Sequence, residues 1–112
     1  MGDRIAITFV NGRETSPTLF NHWGGRRFLA TTQKYIKQAI PRRIGDDKSS
    51  PLSRREPRTV MVDYISYLTK GKVIDSSLYL GKNTGEGDSS DNGHWYVNTV
   101  TGHASQRLSE VV

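Results

Sequence analysis

From Gly25 onward, Phe28, Leu29, Thr32, Tyr35, Ile36, Ala39 and Ile40 recur at spacings of one, three and four, which lays them along one stripe of a helix. Each apolar side chain on such a stripe stabilises by roughly 1.5–3 kcal/mol when fully buried, and a helix cannot bury its own stripe. A second layer is therefore required. Val60, Met61, Tyr64, Ile65 and Leu68 set out a second helix with the same need. Pro41 is expected to end the first helix, because its ring removes an N–H and crowds the preceding turn. Pro57 suits the first position of the second helix, and Lys70 and Gly71 suit its carboxyl end.

The flanks read as strands. Arg4 to Val10 alternates Ile5, Ile7 and Phe9 with Ala6, Thr8 and Val10, and neither set is strongly polar. Asn11-Gly12 predicts a type I′ hairpin turn leading into Thr15 to Phe20, and Pro17 predicts that this second strand is broken or lies at an edge. Lys72 to Leu80 has strand character interrupted at Ser76 and Ser77. After a polar stretch from Gly81 to Gly93 comes a strand at His94 to Asn98. The segment Asn98 to Gly102 predicts a type I turn with a left-handed glycine, and the chain returns through His103 to Leu108. The order ββααβββ predicts an α+β domain: an antiparallel sheet of about five strands covered on one face by two helices, its other face wet or used for contact. At 112 residues the chain is read as one domain, 1–112, with a mobile loop at 42–57. With no cysteine it has no disulfide, thiolate nucleophile or cysteine-held metal. No window nears the roughly 20 apolar residues that span a bilayer, and the amino terminus lacks a signal layout, so a soluble cytoplasmic protein is expected.

Charge is unevenly placed. The net charge is +5, yet Arg26 to Lys72 holds twelve Lys/Arg against four acids, a local excess of +8. Such an excess attracts phosphate backbones or acidic protein surfaces, with screening by salt; a solvated helix face is the plainer alternative. The candidate binding residues are Arg26, Arg27, Lys34, Lys37, Arg42, Arg43, Arg54, Arg55 and Arg58, joined by His22 and Trp23.

Asn21-His22-Trp23-Gly24-Gly25 stands where a strand hands over to a helix, and its two glycines permit close approach of a ligand or backbone. The alternative is a tight turn with Trp23 in the core and Asn21 or His22 capping local backbone. A second His-Trp pair, His94-Trp95, enters a strand. Were His22 and His94 to converge, they would suit general acid and base catalysis on a phosphodiester or ester, with Arg26 or Arg27 stabilising charge. Asp88 to Gly93 resembles half a calcium loop, but Thr99 stands where the bidentate glutamate belongs. The histidines His22, His94 and His103 are too far apart in sequence for a zinc pattern, and Gly81 to Gly87 lacks phosphate-loop spacing. Neither metal nor cofactor is assigned.

The chain is similar to a functionally uncharacterised group of small bacterial, archaeal and phage-linked proteins. The likeness is carried by His22-Trp23-Gly24-Gly25, the loop Asp88 to Asn92, and Trp95 to Val97 before the turn at Gly102. It implies an α+β layout with the His-Trp-Gly-Gly element before a helix, and it implies no activity. The expectation is a small non-enzymatic protein that meets an anionic partner, nucleic acid or acidic protein, through its basic helical region. The alternative is a histidine-dependent phosphoesterase or nuclease-like hydrolase using His22 and His94.

Overall fold

Ile5–Asn11 forms β1, and every residue from Ile5 to Val10 is buried. Apolar residues on both faces of a strand suit a position covered from both sides, and β1 lies in the middle of the sheet. The structure, a computed structural model, describes residues 3–70, 72, 78–82 and 91–112. Asn11 pairs with Glu14 of the two-residue strand β2 (Glu14–Thr15). Between them only Gly12 takes a positive φ, +62°. Glycine at the first central position is the II′ arrangement, in place of the I′ turn that Asn11-Gly12 suggests. The strand then breaks at Pro17, as its missing N–H requires. Ser16 Oγ fills in by accepting from Phe9 N at 2.9 Å while Ser16 N donates to Phe9 O. β3 resumes at Thr18–Asn21.

The remaining strands are β4 (Leu78–Gly81), β5 (His94–Asn98) and β6 (Ala104–Ser105). Their order is β4-β3-β1-β5-β6, with β2 on the end of β1. The antiparallel sheet read from the sequence is corrected here to a mixed one, because β5 runs parallel to β1 with Ala6 opposite His94 and Val10 opposite Asn98. Parallel neighbours need a long crossover, and both helices and β4 lie in this one. Gly102 (φ +77°) and its N–H bond to Asn98 O close the β5–β6 turn as expected. The predicted interruption at Ser76 and Ser77 falls on 73–77, outside the described residues.

The first helix also departs from expectation. α1 (Gly25–Lys34) runs through a wide π-turn at Tyr35–Ala39 into α2 (Ile40–Ile44), so Pro41 does not end it. In the π-turn Ile40 N–H bonds Tyr35 O, five residues back. The next donor in that register would be residue 41, and proline has none. The Ile36 carbonyl is instead met by Arg55 Nη1 at 3.3 Å, which also donates to Thr99 O at 2.9 Å. A side chain thus supplies the donor that Pro41 withholds.

The stretch 42–57, read as a loop, contains the last turn of α2 and a short 3₁₀ turn at Pro51–Arg54. Ser50 Oγ accepts from Leu52 N, and Leu52 is buried. α3 (Pro57–Thr69) starts on Pro57, and Lys70, in the left-handed region at φ +51°, caps it with its N–H on Ser66 O. Helices and sheet meet over Ile5, Ile7, Phe9, Leu19 and Val97, against Phe28, Ile36, Val60 and Tyr64 among others. Tyr64 lies edge-on to Phe9 (5.6 Å) and close to Tyr35 (4.6 Å), and its hydroxyl shares a hydrogen bond with Thr32. The opposite face is not wet at its centre: Ala6, Thr8, Val10, Thr18 and Phe20 are all buried.

Candidate functional site

Because the inward stripe of the first helix takes Phe28, Leu29, Thr32, Tyr35 and Ile36, the 3.6-residue period leaves Arg26, Arg27, Ala30, Lys34, Lys37 and Gln38 exposed on the other side. Arg42 is exposed near its end. The chain has no acidic residue from Gly25 to Gly45. Among the described residues none of Arg26, Arg27, Lys34, Lys37 or Arg42 forms an ion pair. At about 1.5 Å rise per residue these five cations span about 24 Å of helix. Arg26 begins the row with its guanidinium 5.4 Å from the Trp95 ring centre.

The other predicted cations are differently employed. Arg43 forms a two-pronged bond to Asp63, Nε to Oδ2 at 2.7 Å and Nη2 to Oδ1 at 2.8 Å, and lies over Tyr67. Tyr35 also donates to Asp63 Oδ2. Burial by itself raises the Asp63 carboxyl, but these donors outweigh it and hold the group below the usual carboxylate range. Burial and the Asp63 hydrogen bond push the Tyr35 hydroxyl upward. Arg55, offered by the sequence as a binding residue, is turned inward onto two carbonyls, and burial pulls its pKa below the ordinary value. Arg54 pairs loosely with Glu56 at 3.5 Å. Arg58 is exposed and lines a groove of about 420 Å³ with Arg13, Glu14, Thr15 and Glu56, where carboxylates offset its charge.

Of the tight-turn alternative, the turn and the capping of local backbone by Asn21 are present, while the placing of Trp23 in the core is corrected, for it is 66% exposed. Its surroundings are nonetheless fixed. Asn21 Oδ1 accepts from Trp23 N, Asp3 N donates to His22 O, and Gly25 N donates to Asp3 O. A Cβ at Gly25, where φ is +58°, would run into the Asp3 carboxylate. A Cβ at Gly24 would meet the side chains of Asn21 and Phe28. The double glycine is therefore what lets this turn close. Periodicity carries no signal for an exposed indole in a turn, which is why sequence reasoning left Trp23 between core and surface.

The two histidines lie at the same end of the sheet, His22 just past β3 and His94 at the start of β5, but β1 separates those strands, a lateral gap of about 10 Å at ordinary strand spacing. His22 lies beside the Tyr79 ring at 5.3 Å. His94 Nε2 is 2.6 Å from Thr8 Oγ1, which is itself 2.6 Å from Thr18 Oγ1, and its ring stacks on Tyr96. Burial lowers the His94 pKa, favouring the neutral ring. Among the described residues no hydrogen bond joins the two imidazoles. Nor do three His, Asp or Glu side chains gather there as for a metal. The calcium-like pattern begins in 88–90 and most of Gly81 to Gly87 falls in 83–87, both outside the described residues. No described helix is long and apolar enough to cross a membrane.

No protein-family model, curated protein or solved structure matches the chain.

Proposed function

We propose that the chain is a binding protein for nucleic acid that grips the phosphate backbone without reading sequence, along the exposed side of the Gly25–Ile44 helix. The observation that carries this is the acid-free helix with Arg26, Arg27, Lys34, Lys37 and Arg42 exposed and unpaired among the described residues. Cations with no carboxylate partner are free to displace the counterions that phosphates hold, and that release drives such binding. A row extending about 24 Å at the helical rise suits an elongated polyanion. The histidines do not favour hydrolysis, since β1 stands between their strands and His94 Nε2 is already engaged by Thr8 Oγ1.

The test is fluorescence anisotropy with a labelled 20-nucleotide strand and, in parallel, polyglutamate, each titrated across salt. Five engaged cations predict that log K for the single strand falls with a slope of about −3.5 against log salt, and about −4.5 for a duplex. A flat salt response overturns the proposal, and tighter binding of polyglutamate than of the oligonucleotide moves the partner to an acidic protein.

A further inference from the structure

Trp23 is the described aromatic that the fold leaves without a companion. Phe20 and Tyr79 stack on each other, Trp95 lies under Arg26 with its Nε1 bonded to Asn92 O, and His94 stacks on Tyr96. Among the described residues Trp23 has no ring or cation over it, and it is two-thirds exposed. Its backbone is pinned by the Asn21, Asp3 and Gly25 hydrogen bonds. An indole held out by an ordered turn loses little freedom when something packs on it, which lowers the cost of binding. It precedes Arg26 by three residues, so the two Cα atoms are within about 11 Å.

We propose that Trp23 is a base-stacking platform at the head of the cationic row, so that the surface selects single-stranded over double-stranded nucleic acid; this rests on the phosphate-binding reading above. A single strand offers unstacked base faces to the indole and phosphates to Arg26, Arg27, Lys34 and Lys37. A duplex keeps its bases stacked on one another and meets the cations alone. Any base suits the indole face, which agrees with sequence-tolerant binding.

The experiment compares the full-length chain with its Trp23→Ala and Trp23→Phe variants on labelled oligo-dT of 20 nucleotides and on a 20-base-pair duplex. Trp23→Ala is expected to weaken the single strand about tenfold and leave the duplex unchanged, with Trp23→Phe recovering part of the loss. Unlabelled oligo-dT should quench tryptophan emission in the parent and much less in Trp23→Phe. Equal losses on both probes, or no loss on either, overturns the stacking role while leaving the phosphate grip intact. If neither probe binds the parent chain, both proposals fall.

Discussion

Arg55 is the side chain whose removal should cost the fold most for the least change in surface. Its guanidinium donates to Ile36 O and Thr99 O, and Ile36 is fully buried. Arg55→Met keeps the stem but strips both donors. A carbonyl left without a donor costs about 1–3 kcal/mol. Two such carbonyls, less the relief of no longer holding a partly buried charge, give a loss of about 2–4 kcal/mol. The structure also specifies a partner for this effect. In a Pro41→Ala variant the residue at 41 regains an N–H placed to reach Ile36 O in the π-register, so one of the two carbonyls is served without Arg55. The cost of Arg55→Met should then shrink by about 1 kcal/mol, the worth of one hydrogen bond. Urea unfolding followed by far-UV circular dichroism, at matched slopes, measures all four corners of the cycle. Arg55→Met costing under about 0.5 kcal/mol, or costing the same in both backgrounds to within about 0.3–0.5 kcal/mol, would refute the claim that this arginine replaces the proline's missing donor.

Asp63 has a folded pKa held below its unfolded value, so its contribution is present above pH about 4 and lost as pH falls further; Asp63→Asn should flatten the acid limb of a stability-versus-pH curve. His94 also has a folded pKa below its unfolded value, here because burial disfavours the charged ring: the unfolded chain takes up its proton first, so stability is retained above pH about 6.5 and declines below it through the lowered folded pKa. His94→Gln should remove that decline in pH-dependent melting, and an unchanged decline would deny that His94 is its source. Gly25→Ala should destabilise by more than about 1 kcal/mol, because the residue is at φ +58° against the Asp3 carboxylate. Trp23→Ala, at an exposed position, should shift stability by less than about 0.5 kcal/mol, and thermal melts of the two separate turn geometry from surface chemistry.

Features written in local chemistry were legible in the sequence. The stripe from Phe28 to Ile40, the break at Pro17, the start of α3 at Pro57 and the left-handed Gly102 each follow from a few neighbouring residues, and the structure has each of them. The partner of β5 was not legible. Alternation fixes which face a side chain takes but not which strand lies alongside, and the apolar residues on both faces of β1 hinted at a central strand without naming its neighbours. The passage of the helix beyond Pro41 depends on Arg55, fourteen residues away, which no local rule reaches. Arg43 and Arg55 read as surface cations because composition cannot distinguish a guanidinium facing water from one bonded to Asp63 or to a carbonyl. The exposed row itself was legible, since the period that buries Phe28 and Tyr35 places Arg27 and Lys34 opposite.

Ala30 stands exposed on that row, four residues from both Arg26 and Lys34, and Ala30→Glu puts an acid among the cations without touching the core. New i,i+4 pairs should leave the helix as stable or firmer by about 0.2–0.5 kcal/mol each. Anisotropy titrations of a labelled 20-nucleotide strand should then show a loss in affinity and a salt slope shallower by about 0.7 for each cation the new carboxylate occupies. Affinity and slope both unchanged, in a variant that melts like its parent, would contradict the assignment of nucleic-acid binding to this helix.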